Sequence, residues 1–115
     1  MKYLDDKKQW DKYWDENKNK KTVFNSLVSV AREYYFAKYF ARFISKNYDI
    51  KGKVVCEIGA GSGLTLAHLK KLGALKCAGV DYSQEAIDMA NNSNKECEFI
   101  YGDAFNLSNI KDKQF

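Results

Sequence analysis

The sequence contains no proline, one histidine (His68) and three cysteines, none of which forms a C-x-x-C pair. The lack of proline excludes a proline-rich recognition segment. Because the chain has few histidines and cysteines and no cysteine pair, a four-ligand zinc site is also excluded, and we expect no metal. No apolar run approaches the roughly 20 residues that span a bilayer, and residues 1–8 lack the apolar core of a signal peptide. We therefore expect no membrane segment and a cytoplasmic protein whose thiols at Cys56, Cys77 and Cys97 are reduced.

The net charge of +4 comes entirely from residues 1–50, which carry 11 Lys and Arg against 7 Asp and Glu. Residues 51–115 carry 8 of each sign. A solvated helical surface explains this excess, and the alternative is a face for an anionic partner such as nucleic acid or acidic lipid. The tightest basic cluster, Lys18, Lys20 and Lys21, is typical of a polar linker. The charge thus leaves nucleic acid open as a partner without requiring it.

The 115 residues are 45% apolar, enough for about one small domain, and their periodicity changes near residue 50. Apolar spacings of three and four predict helices over 3–16 and 22–47, capped at Thr22 and joined by a linker over 17–21. The later part predicts strands at 53–58, 77–80 and 98–101, helices at 64–72 and 83–90, and a turn at 91–94. Ser83 is the predicted N-cap of the last helix. This β-α-β-α-β order predicts an α/β fold with parallel strands, half of a doubly wound sheet.

Three alternating glycines, in Gly59-Ala60-Gly61-Ser62-Gly63, lie between the first predicted strand and the helix that follows it. Glycine suits such a turn because it adopts unusual dihedral angles and lets the backbone approach a ligand closely. The free N–H groups and the positive dipole end of the next helix also favour a polar ligand. The loop is therefore a candidate binding site for a small molecule.

Two interpretations of the loop compete. A dinucleotide fingerprint, G-x-G-x-x-G, fails at Leu64, where the third glycine belongs. The alternative register G-x-G-x-G, preceded by the acidic Glu57, is met and resembles motif I of the class I S-adenosylmethionine-dependent methyltransferases. Gly79-Val-Asp81-Tyr-Ser and Tyr101-Gly-Asp103-Ala-Phe resemble that family's second-strand and third-strand motifs. The three matches follow in order over residues 53–107, about half of the chain.

The resemblance implies a Rossmann-like fold, S-adenosylmethionine as the cofactor, and methyl transfer to an acceptor that the sequence does not identify. In the family, the carboxylate that matches Asp81 binds both ribose hydroxyls, which suits its two acceptor oxygens. The residue that matches Asp103 accepts from the adenine amino group. The resemblance also gives roles to the remaining candidate residues. Ala104 offers a backbone N–H to the adenine ring, and Tyr82 packs on the adenine or the ribose. Glu57 orients the loop or the ammonium group of the ligand, and the methionine part is lined by Gly59, Ala60, Gly61, Ser62 and Gly63.

Simpler interpretations stand beside these roles. Asp81 and Asp103 also suit helix caps or turns at strand ends, and the cysteines suit small core positions. His68 is expected on the surface without a role. The aromatic residues of the first helix, Trp10, Tyr13 and Trp14, suit packing, although an N-terminal aromatic helix covers the cofactor pocket in many methyltransferases of this type.

We expect an incomplete doubly wound domain. Residues 1–50 form a helical segment on the lid and substrate side, and residues 51–115 form the cofactor-binding portion, truncated before a fourth strand. We name no catalytic residue, because in this family the acceptor and catalytic groups come mainly from later strands. The half-sheet leaves an exposed edge that favours self-association. One alternative is a non-catalytic S-adenosylmethionine-binding module or subunit. The other is a fragment of an NAD-dependent oxidoreductase, which is less favoured because Leu64 replaces the third glycine of the dinucleotide fingerprint.

Overall fold

The computed structural model describes residues 7–19, 23–111 and 114–115, which form four helices and three strands. In chain order these are α1 (Lys7–Asn19), α2 (Val23–Asn47), β1 (Val54–Ile58), α3 (Leu64–Lys71), β2 (Lys76–Asp81), α4 (Gln84–Ser93) and β3 (Glu98–Tyr101). The strands form one parallel sheet in the order β1-β2-β3. The predicted Rossmann-like α/β arrangement is thus confirmed, while the division of the chain at residue 50 stays a prediction.

The predicted limits of the helices need two corrections. Asn17–Asn19 continue α1 instead of forming a linker, and Asn91–Ser93 continue α4 instead of a turn. In both places the backbone continues its helical hydrogen bonds through polar residues whose local preference favours turns. The predicted cap at Thr22 and the linker residues 20 and 21 lie outside the described part of the chain.

The central strand β2 is the most buried segment. Cys77, Ala78 and Val80 are at most 1% exposed, because β1 and β3 flank the strand and helices cover it. Leu66 and Leu69 of α3 complete the core with apolar residues of α4 and with Phe99. Among the described strands, β1 pairs only with β2, so its other edge is open.

Helix α2 packs on α3 through Ala37 and Ala41, whose small side chains let the two helices approach closely. A second face of α2 carries Phe36, Phe40 and Phe43, which are 70%, 43% and 60% exposed. The rings of Phe36 and Phe40 stack at 6.0 Å. We call these three residues the phenylalanine stripe.

His68 is buried, contrary to the expected surface position, because α2 covers its side of α3. Its ring lies edge-on to the ring of Tyr34 in α2, with centroids 4.9 Å apart. Burial lowers the pKa of His68, and the neighbouring charges of Lys71, Lys38 and Arg42 lower it further. The imidazole is therefore a neutral part of the α2–α3 interface.

The described residues contain no helix with both the length and the apolarity to cross a bilayer. They also contain no group of three or more His, Cys, Asp or Glu side chains placed to hold a metal ion.

We predict that His68→Gln makes the protein relatively more stable in acid. The pKa of His68 in the folded state lies below its ordinary value of 6.5. Below about pH 6.5, His68 therefore binds a proton more readily in the unfolded chain than in the folded one. This contribution to stability is complete above pH 6.5 and is lost as the pH falls. Glutamine cannot titrate, so the difference in melting temperature between variant and wild type should shift in favour of the variant from pH 7 to pH 5. Parallel profiles for the two proteins would contradict this role of His68.

Candidate functional site

The glycine-rich loop turns sharply at the carboxyl end of β1 and is tied to the end of β2. The N–H groups of Gly59 and Ala60 both donate to the carbonyl of Val80, at 2.7 and 3.0 Å. Gly61 and Gly63 have φ values of 52° and 75°, which favour glycine. A Cβ on Gly63 would overlap the ring of Phe99, and one on Gly61 would lie 3.1 Å from Cζ2 of Trp14. The loop therefore has little room for side chains on its inner side.

Asp81 ends β2 and uses both carboxylate oxygens to hold backbone groups. Its Oδ2 accepts from the N–H of Gly61 at 2.9 Å, and its Oδ1 accepts from the N–H of Ser83 at 3.0 Å. The N-cap of α4 is Ser83, as predicted, whose Oγ accepts from the N–H of Ala86 at 3.4 Å. Asp81 is thus not the cap of α4. Because each oxygen can accept two hydrogen bonds, the carboxylate keeps acceptor capacity for a ligand.

Glu57 lies inside β1 and has a buried, unsatisfied oxygen. Among the described residues, none donates a hydrogen bond to its Oε2. Burial, followed by the negative charge of Asp81, raises the pKa of Glu57 to about 7. A buried carboxylate without a partner is unfavourable, so the position would be stabilised by a cationic or hydrogen-bond-donating group.

Asp103 and Ala104 follow β3 and have different environments. Asp103 is exposed, and its Oδ1 accepts from the N–H of Phe105 at 2.9 Å within a turn that the bridge to Asn106 closes. Ala104 faces the cleft described next. The structure therefore places Asp103 in the turn that carries Ala104.

A cleft of about 440 Å³ opens along the carboxyl ends of the strands. We call it the first cleft. Its walls come from α1, from the ends of β1 and β2 with the loops after them, and from the loop after β3. The lining residues are Trp10, Trp14, Ile58, Gly59, Gly61, Val80, Asp81, Tyr82, Gly102 and Ala104. The volume lies within the range of small-molecule sites. Of the sequence-predicted residues, the structure brings Gly59, Gly61, Asp81, Tyr82 and Ala104 together here.

A smaller cleft of about 190 Å³ lies on the other side of Gly61 and Trp14. We call it the second cleft. It is bounded by the loop, the start of α3 and the side of α2, through Trp14, Glu33, Phe36, Ala37, Ala60, Gly61, Ser62, Leu64 and Thr65. Helix α3 begins beside it at Gly63 without a side-chain cap. The predicted residues Ala60 and Ser62 thus lie on this side of the loop.

Several residues that line the first cleft are not among those predicted from the sequence. Ile58 and Val80 are the last residues of predicted strands and Gly102 directly follows one, so their position at the carboxyl edge of the sheet is the available signal. The sequence predicts that Trp10, Tyr13 and Trp14 pack or cover the pocket. In the structure Trp10 and Trp14 line the first cleft, and Tyr13 is not among its walls. The spacing of four between the two tryptophans, one helical turn, was the signal for their shared face.

The model of a family described as a methyltransferase domain matches residues 55–115. A solved structure of a Thermoplasma acidophilum protein is 28% identical, with a TM-score of 0.58 over 66% of this chain and 40% of its own length. A TehB-like S-adenosylmethionine-dependent methyltransferase from Corynebacterium glutamicum is 27% identical, with a TM-score of 0.51 over 58% of this chain and 34% of its own. Magnesium protoporphyrin IX methyltransferase from Synechocystis, solved with S-adenosylmethionine bound, shares the fold at 18% identity and a TM-score of 0.66, over 90% of this chain and 57% of its own. The chain therefore spans less than two thirds of the length of each of these proteins.

Proposed function

Because this chain belongs to the methyltransferase-domain family and has the class I S-adenosylmethionine-dependent methyltransferase fold, we propose that it forms the cofactor-binding front half of such an enzyme, with an unidentified acceptor. The observation that carries this proposal is the carboxylate of Asp81. It lies in the wall of the first cleft, is oriented by two backbone N–H groups, and keeps acceptor capacity. A group with two neighbouring hydroxyls, such as a ribose, suits that capacity.

The residues of the first cleft fit the nucleoside part of the cofactor. Asp81 would accept from the ribose hydroxyls, while Tyr82 and the backbone of Ala104 would flank the adenine. The walls are otherwise apolar or aromatic, as expected for a planar ring. Asp103 would contact the adenine amino group through the acceptor capacity that its carboxylate keeps beside the hydrogen bond from the N–H of Phe105.

The amino-acid part of the cofactor fits the groups around the glycine loop. The unsatisfied Oε2 of Glu57 suits an ammonium group, and the uncapped start of α3, beside Ser62 and Thr65, suits a carboxylate. The close approach of Trp14 to Gly61 limits the space above the loop. These residues offer opposite charges to the two ends of an amino acid.

When bound, S-adenosylmethionine supplies a methyl group on a sulfonium, which is already activated for transfer. The residues of this chain would therefore chiefly bind and orient the cofactor and exclude water, and a base is needed only where the acceptor must lose a proton. Trp10 and Trp14 cover the cleft, and Asp81 and the loop set the position of the cofactor. We assign no catalytic residue within these elements.

We further propose that residues 51–115 are the cofactor-binding portion, with residues 1–50 on the lid and substrate side and further strands completing the sheet beyond β1. The open edge of β1 and the share of the relatives that the chain spans support the further strands, and the family match over residues 55–115 supports the division. Without such strands, the same edge favours self-association. A non-catalytic binding module remains the alternative function, and the cytoplasmic location stays a prediction.

We predict that Asp81→Ala weakens binding of S-adenosylhomocysteine by at least about tenfold, because it removes the ribose acceptor and releases the loop. Isothermal titration calorimetry of the full chain measures this. Asp88→Ala, an exposed change on α4, is the matched control and should bind like the wild type. Unchanged affinity in Asp81→Ala would refute the ribose role. Binding of NAD in place of S-adenosylhomocysteine would favour the oxidoreductase alternative.

We predict that Glu57→Gln removes part of the pH dependence of stability. The folded pKa of Glu57, about 7, lies above its ordinary value of 4.5, so the folded state holds a proton that the unfolded chain releases. The stability contributed by the protonated form is lost as the pH rises from about 4.5 to 7. Between pH 4.5 and pH 8, the melting temperature should fall less for Glu57→Gln than for the wild type. Glu96→Gln, at an exposed position, is the control. If the melting temperatures of both variants fell as much as that of the wild type, Glu57 would not be a buried carboxylate with a raised pKa.

We predict concentration-dependent self-association of the isolated chain, because the edge of β1 and the phenylalanine stripe are both open. Light scattering after size-exclusion chromatography should give an apparent mass that rises with concentration. Phe43→Lys should lower this rise with little loss of melting temperature, since Phe43 is 60% exposed. A constant mass of 13.2 kDa at all concentrations would oppose the prediction.

A further inference from the structure

Helix α1 crosses the carboxyl-terminal edge of the sheet, where it contacts the last residue of β3 and the segments that follow β2 and β1. At the end of β3, the Nζ of Lys7 lies 4.9 Å from the ring centroid of Tyr101. After β2, Oδ1 of Asp11 accepts from the Oγ of Ser83 at 2.8 Å. After β1, the ring of Trp14 lies against Gly61.

The spacing of these contacts along α1 matches the spacing of the strands. Lys7, Asp11 and Trp14 are four and then three residues apart, so they lie on one face of the helix. Seven residues of helix rise about 10.5 Å, and two strand spacings amount to about 9.6 Å. One straight helix can therefore reach all three strand ends, provided that its middle contact holds it in register.

The middle contact is a partly buried hydrogen bond between a carboxylate and a hydroxyl. Ser83 is fully buried, donates its O–H to Asp11, and accepts at Oγ from the N–H of Ala86. The N–H of Ser83 donates to Asp81, which in turn accepts from Gly61. A short chain of hydrogen bonds thus connects α1 to the ribose acceptor and to the glycine loop.

We propose that Asp11 is a positioning residue, which fixes α1 across the strand ends through Ser83 and so keeps Trp10 and Trp14 in the wall of the first cleft. Its effect on the cofactor rests on the function proposed above. Since the cofactor would contact both the tryptophans and Asp81, its binding and the docking of α1 stabilise each other by linkage. Asp11 itself does not line the first cleft.

The test compares Asp11→Ala with Asp15→Ala in the full chain. Both variants remove one carboxylate from α1, and the structure gives Asp15 no bond to Ser83. In the absence of ligand, Asp11→Ala should increase acrylamide quenching of the tryptophan fluorescence, for which Trp10 and Trp14 are the only sources. The dissociation constant of Asp11→Ala for S-adenosylhomocysteine should rise roughly three- to tenfold. Asp15→Ala should behave like the wild type in both measurements.

Two further variants separate positioning from a general loss of structure. Asp11→Asn keeps an acceptor oxygen, so it should restore most of the affinity and of the protection from quenching. In a Ser83→Ala background, Asp11→Ala should cause little further change, because the partner is already absent. Full additivity of the two substitutions would overturn the proposal.

The ligand-free measurement separates this proposal from the proposed function. If the wild type does not bind S-adenosylhomocysteine, the proposed function fails, and equal quenching of Asp11→Ala and Asp15→Ala would refute the positioning role independently. If the ligand binds and Asp11→Ala has wild-type affinity, the coupling between α1 and the cleft is refuted while the proposed function stands.

Discussion

The residue Asp81 joins the ends of all three strands. Its carboxylate holds Gly61 after β1 and Ser83 after β2, and its backbone carbonyl accepts from the N–H of Gly102 after β3, at 2.9 Å. Hydrogen bonds to a charged group contribute about 1.5–3 kcal/mol each, so this one side chain has a large share in the geometry of the first cleft. The loop, the start of α4 and the turn after β3 all take their positions from it.

This arrangement brings two carboxylates close together. The charge of Asp81 adds to the effect of burial on Glu57, and together they raise the pKa of Glu57. A cationic ligand group at this position would reduce the repulsion and satisfy the free oxygen of Glu57. The unfavourable electrostatics of the ligand-free site are therefore consistent with preorganisation for a positively charged ligand, a common feature of binding sites.

The sequence predicts the parallel sheet and the cap at Ser83 because both depend on local patterns, namely short apolar runs, glycine turns and the polar side chain before a helix. The residue pattern alone does not predict where α1 lies, since Asp11 and Ser83 meet across 72 residues of chain. The expected lid position of the N-terminal helices comes only from the family resemblance. The burial of His68 depends in the same way on α2, because periodicity identifies the apolar face of a helix but not the element that covers it. A turn is one of the two interpretations that the position of Asp103 at a strand end allows, and the backbone geometry shows that the turn is held by the N–H of Phe105.

The first cleft and the open surfaces of the chain lie on different parts of the molecule. Every wall of the first cleft comes from α1, from the strands or from the loops that follow them. No residue of the phenylalanine stripe lines it, and of the edge strand β1 only the terminal Ile58 does. Parallel strands are normally covered on both faces and flanked in the interior of a sheet, so these surfaces are the places where additional polypeptide would pack. Because no residue of the phenylalanine stripe lines it, the first cleft takes its shape from α1, the strands and the loops after them, whatever polypeptide covers that stripe.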